Sequence, residues 1–102
     1  MGSERLTIPI NGVYFDQIRS GEKLEEYRLV TPFWRKRLVD RTYRKIVLTR
    51  GYPKGGGVEG ETRLTLRWNG YRVTRLLHPH FGPNVVKVFA IDVSKEIPHD
   101  QR

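Results

Sequence analysis

The 102-residue chain contains no cysteine and a single methionine. Without thiols, disulfides and thiolate metal sites are excluded, and a cytoplasmic location is the expectation. No stretch approaches a transmembrane run or the apolar core of a signal peptide, so neither a membrane span nor export is expected. Glycines crowd into Lys54–Gly60, at positions 55, 56, 57 and 60. No Gly-Lys-Ser/Thr follows them and no strand-to-helix switch is visible, which excludes a triphosphate-cradling loop and leaves a flexible connection. Acidic residues are the scarcer charge: 11 Asp+Glu stand against 19 Lys+Arg, for a net +8 and a pI near 10.2. That balance favours anionic partners, nucleic acid ahead of a membrane surface. It equally describes a basic protein with a solvated surface.

What is present suits one small domain over residues 1–102. Hydrophobic residues at 37 % and aromatics at 11 % suffice for a compact core, and no repeat or linker divides the chain. Leu6–Ile10 alternates as a first strand, with Pro9 either placing it at a sheet edge or ending it there. Asn11 caps a helix over Val13–Ser20 whose apolar side includes Tyr14 and Ile18, and Gly21 supplies the positive φ at its end. Thr31-Pro32 opens a second helix, Pro32–Val39, with Phe33, Trp34 and Leu38 on its apolar side. Its run Arg35-Lys36-Arg37 is either a solvated face or a phosphate-tracking cluster. Tyr43–Arg50, apolar on both faces, reads as a central strand, and Val85–Val93 as a second buried one. Asn69-Gly70 between Leu64–Trp68 and Tyr71–Arg75 predicts a two-residue hairpin. That register sets Trp68 against Tyr71 on a core face and Arg67 against Arg72 on the other, where two guanidinium groups could straddle a phosphate or splay into solvent. His78 and His80, with no third ligand nearby, read as loop histidines, so no metal site is expected. The polar tail, residues 94–102, is expected to fray.

The densest chemistry lies in Gly21-Glu22-Lys23-Leu24-Glu25-Glu26-Tyr27-Arg28, where helix gives way to strand. From Leu24 onward, alternation puts Leu24, Glu26, Arg28 and Val30 on one face, and Glu25, Tyr27 and Leu29 on the other. Glu26 and Arg28 are then either a charge couple at the edge of a core or the wall of a polar pocket. Strict alternation puts Lys23 on the face away from Glu26. The two converge only if the turn after Gly21 rotates Lys23 round.

Gly-x-Lys-x-x-Glu-x-Arg after a short helix, here Gly21, Lys23, Glu26 and Arg28, resembles the signature of the ASCH family, a branch of the PUA-like β-barrels that includes small bacterial and phage proteins. The likeness extends over roughly residues 6–93. It implies an α+β fold: a small PUA-like barrel of five to six mixed or antiparallel strands with two short helices. It also implies RNA binding, RNA cleavage, or hydrolysis of an amide on a modified cytidine. In ASCH amidohydrolases the motif lysine is the central catalytic residue, a role that falls here on Lys23. Those enzymes carry threonine where this chain has Glu26, and a carboxylate there would serve as general acid or base.

Lys23 and Glu26 are thus the candidate catalytic pair. Tyr27, Arg28, Arg50, Arg67 and Arg72 are the candidate contacts to nucleic acid or substrate, with Arg28 suited to a carbonyl oxygen or phosphate. The expected partner is RNA or a nucleotide, and no cofactor is expected. Recognition of RNA or a nucleotide in the cleft is the first reading. A ribonuclease or acetylcytidine amidohydrolase-like hydrolase is the alternative, and a non-catalytic protein-interaction module the third.

Overall fold

The computed structural model describes residues 5–94. Eight regular elements follow one another: β1 (Arg5–Ile10), α1 (Gly12–Ser20), β2 (Glu25–Leu29), α2 (Pro32–Leu38), β3 (Lys45–Arg50), β4 (Arg63–Arg67), β5 (Tyr71–Leu76) and β6 (Val86–Asp92). Short 3-10 turns at Lys54–Gly56 and Pro79–Phe81 punctuate the loops. The fold is α+β, with six strands in two three-stranded sheets ordered β1-β3-β4 and β2-β6-β5. Among the described residues no ladder joins the sheets, so strand pairing there does not close them into a barrel. No helix among the described residues is long and apolar enough to cross a membrane.

Local chemistry accounts for most of the element ends. The Asn11 side chain accepts from the backbone N–H of Val13 at 2.8 Å, capping α1. At the other end Gly21 adopts φ +88°, and its N–H bonds back to the carbonyls of Gln17 and Ile18. Thr31 caps α2 through Trp34 N–H, and Pro32 follows where its missing N–H costs nothing. β1 is an edge strand, as Pro9 requires, and runs parallel to the central β3. β6 is likewise central, between β2 and β5.

The core lies between the sheets and the helices. Leu6, Ile8 and Ile10 of β1 pack with Ile46 and Leu48 of β3, Phe15 and Ile18 of α1, Leu38 of α2, and Phe89 and Ile91 of β6. Phe15 is fully buried beside Ile18, so the inner side of α1 is broader than the Tyr14/Ile18 stripe alone. On α2, Leu38 is buried and Trp34 packs against the core, but Phe33 is 55 % exposed and turns outward over Arg37.

The expected hairpin does not form. β4 pairs with β3 and β5 with β6, so Asn69-Gly70 is the corner at which the chain leaves one sheet for the other. Trp68 N–H bonds the carbonyl of Arg44, holding the strand before the corner to the first sheet. The Gly70 carbonyl accepts from Asp92 N–H, fastening the next residues to the second. Two long buried strands, β3 and β6, each recruit one arm, and those ladders outcompete the local turn signal. Arg67 therefore stands opposite Lys45, and Arg72 opposite Ala90, rather than opposite one another.

One other expectation changes. The glycine-rich loop is tied down by its own bonds, with Val58 N–H donating to Thr62 Oγ1 and Thr65 N–H to Glu59 Oε2. Of the polar tail only Ser94 is described, and it donates from both its N–H and its hydroxyl to Asp92 Oδ1. The rest of that tail lies outside the described residues.

Candidate nucleotide-binding cleft

β2 pairs with β6 so that Glu26 lies opposite Ile91 and Arg28 opposite Phe89, both core residues. The strand thus carries two charged side chains on the face that elsewhere meets the core. Glu26 is only 5 % exposed. Arg28 Nη2 donates to Glu26 Oε2 at 2.9 Å and to the Pro9 carbonyl at 3.0 Å. The exposed edge of β1 supplies that carbonyl, and the guanidinium stacks 5.1 Å from the Trp34 ring. α2 and β1 therefore hold Arg28, and Arg28 holds Glu26.

Lys23 reaches the same place from the turn before the strand. β2 begins only at Glu25, so strict alternation does not extend back to Lys23. The N–H groups of Glu22 and Lys23 both bond the Gln17 carbonyl. This Gly21-initiated wrap rotates Lys23 toward Glu26, to an Nζ–Oε1 distance of 3.8 Å. The ammonium also lies 4.4 Å from the Tyr27 ring centroid and 5.2 Å from that of Tyr14. Two aromatic faces and one carboxylate surround it.

The electrostatics follow from burial. Desolvation lowers the Lys23 pKa from its ordinary value, opposed by the attraction of Glu26 and Glu25. Desolvation raises that of Glu26, opposed mainly by Arg28 and Lys23. Among the described residues, Glu26 Oε1 and Arg28 Nε are buried with no hydrogen-bond partner. An unmatched acceptor beside a part-buried ammonium is costly in a purely structural role and useful in a binding one.

These groups open into a cleft of about 530 Å³, walled by Tyr14, Tyr27, Trp34, His78, His80 and Phe81, with Lys23, Glu26 and Arg28 at its charged side. A second hollow of about 570 Å³ shares Tyr14, Lys23, Tyr27 and His78 and extends toward Gln17, Glu25 and Asp92. Lys23 sits where the two meet. His78 and His80 come from the 3-10 turn after β5 and approach Tyr14 edge-on, each with ring centroids 5.8 Å away. The His78 Nδ1 accepts from His80 N–H, which fixes that ring as a wall.

Of the seven candidate site residues, Lys23, Glu26, Tyr27 and Arg28 come together in the cleft. Arg50 does not: it pairs with Asp16 at 3.1 Å, and that bond raises the arginine pKa and lowers the carboxyl's. Arg72 lies on the other face of the second sheet, where both ends of its guanidinium bond Glu25 at 2.8 and 3.0 Å. Arg67 borders a separate depression beside Lys45 and Trp68. Sequence reasoning missed Trp34 as a cleft wall, the Pro9 carbonyl as an anchor, and both histidines, which were weighed as metal ligands and read as incidental loop residues. Each is brought in by long-range packing, and no local pattern signals it.

No protein-family model, no curated protein and no solved structure matches this chain.

Proposed function

We propose that the cleft recognises a nucleotide, free or within RNA, and that the chain is an ASCH-type domain whose two sheets correspond to the halves of a PUA-like barrel. The observation that carries this reading is the combination, in one hollow of about 530 Å³, of aromatic walls, a part-buried ammonium and an unmatched carboxylate oxygen. The volume suits a small ligand. Tyr27, Tyr14 and Trp34 offer flat surfaces to a base. Glu26 Oε1 accepts from a base N–H, and Lys23 meets a phosphate or a ring carbonyl. Arg28 keeps Glu26 in place.

Hydrolysis is the second reading. The 3.8 Å approach of Lys23 to Glu26 and the burial that lowers the lysine pKa both favour it. A lysine so placed can lose its proton and then deprotonate the water that attacks the scissile bond, with Glu26 passing a proton to the departing group as that bond breaks. Titration with nucleoside 5′-monophosphates and short single-stranded RNA, followed by incubation with an N-acylated nucleoside, separates the two. In the binding reading, Lys23→Ala weakens affinity in a salt-dependent way and no product forms. In the hydrolytic reading, the wild type yields product and Lys23→Ala does not.

A further inference from the structure

The net positive charge is unevenly neutralised. Asp16 is taken by Arg50, Glu25 by Arg72, Glu26 by Arg28 and Lys23, and Glu59 by Arg63. A different set of cations is left over on the first sheet. In the parallel ladder Arg5 pairs in register with Lys45, and in the antiparallel ladder Lys45 pairs with Arg67. The three exposed cations therefore form one straight row across β1, β3 and β4. None has a side-chain hydrogen bond or ion pair among the described residues.

Like charges directly opposite on neighbouring strands repel, so such a row weakens the sheet unless an anion spans it. With strands about 4.8 Å apart, the three Cα positions cover about 10 Å. Beside Lys45 and Arg67 lies an open depression of about 590 Å³, bordered also by Thr65, Leu66 and the part-exposed Trp68. Trp68 is held edge-to-face against Tyr43, ring centroids 5.2 Å apart.

We infer that the Arg5–Lys45–Arg67 row is a second binding surface, distinct from the cleft, that tracks the phosphate backbone of single-stranded nucleic acid. The row supplies evenly spaced positive charge without a preformed pocket, which fits a repeating polyanion better than a small ion. Trp68 packs in part against the core, and its exposed part borders the same depression, so an unpaired base beside the row would meet an aromatic edge that an anionic lipid surface or an acidic peptide would leave unused. The inference does not need the cleft reading to be correct, since the row lies outside it.

The test uses a fluorescein-labelled oligouridylate, with anisotropy titrations between 50 and 200 mM salt, on the wild type and on the triple variant Arg5→Gln/Lys45→Gln/Arg67→Gln. Each phosphate contact on a single strand contributes about 0.7 to the slope of log affinity against log salt. The triple variant is expected to lose about 2 from that slope, and each single variant about 0.7. Its thermal midpoint is expected to equal or exceed that of the wild type, because like-charge repulsion has been removed. Binding of uridine 5′-monophosphate is expected to be unchanged, which separates failure of the row from failure of the cleft. An unchanged slope in a folded triple variant overturns the inference. So does row-dependent sedimentation with phosphatidylserine vesicles in a protein that shows no affinity for the oligouridylate.

Discussion

Glu26 gives one carboxylate oxygen to Arg28 at 2.9 Å and leaves the other, Oε1, without a hydrogen bond, 3.8 Å from the Lys23 ammonium. The carboxylate is nearly buried and its two cationic neighbours are partly so, with side-chain exposures of 6 % for Glu26, 13 % for Lys23 and 23 % for Arg28. Desolvation and attraction oppose each other here, and for Glu26 desolvation prevails.

Arg28→Met removes the partner that holds Glu26 and leaves a buried carboxylate without a hydrogen bond. Breaking a buried pair from one side costs on the order of 3 kcal/mol. Urea denaturation at neutral pH is expected to show a loss of that size. The double variant Arg28→Met/Glu26→Gln is expected to recover much of it, because the uncompensated charge is gone. Additive losses would mean that the two side chains are not energetically coupled.

Glu26→Gln separates charge from shape. Because burial raises the Glu26 pKa in the folded state, the folded protein binds the carboxyl proton more tightly than the unfolded chain does. The stabilisation so provided is fully present below the unfolded value, near 4.5, and is lost as pH rises through the folded value. The stability of the wild type relative to Glu26→Gln is therefore expected to fall as pH rises through that window and then to level off. Paired urea midpoints from pH 4 to 7 read the difference directly. Asp16 and Glu25, whose carboxyl pKa values are lowered by Arg50 and Arg72, act in the opposite sense in acid. They are common to both proteins and cancel in the comparison.

Gly21→Ala tests the turn that delivers Lys23. No atom lies within 4 Å of where a Cβ would be, so the whole cost is that of φ +88° for a residue with a side chain. That cost is about 1 kcal/mol. If the turn relaxes to relieve it, the Gln17 carbonyl loses its bonds from Glu22 and Lys23, and the ammonium moves away from Glu26. A drop of several degrees in thermal midpoint, together with weakened nucleotide binding, is the expected outcome. Full affinity in the destabilised variant would show that the Lys23 position does not depend on this turn.

Much of the scaffold was legible in the sequence because its determinants are local. Asn11, Gly21, Thr31 and Pro32 mark helix ends by side-chain chemistry or backbone preference, and each does so in the structure. The apolar stretches of β3 and β6 announced buried strands, and Pro9 announced an edge or a strand end, of which the structure shows the edge. Asn69-Gly70 misled because a turn dipeptide specifies only the bend, whereas strand partners are chosen by burial against β3 and β6. The site divides along the same line. Glu26 and Arg28 share a face by simple alternation, and Tyr27, on the opposite face, borders the cleft beside Lys23. Lys23 joins them through a backbone wrap that alternation does not describe. Arg50 and Arg72 resembled free anion contacts in one dimension, but the fold brings Asp16 and Glu25 to them from 34 and 47 residues away.

The most direct test is a backbone amide NMR titration of the wild type and of Lys23→Ala with the four nucleoside 5′-monophosphates. A nucleotide-binding cleft predicts saturable shifts at Lys23, Tyr27, Arg28, Trp34, His78 and His80 for at least one nucleotide, with affinity reduced about tenfold or more in Lys23→Ala, the effect of losing one charge-assisted contact. If no nucleotide perturbs these amides, or if shifts there are unaltered by the loss of Lys23, the proposed site is wrong.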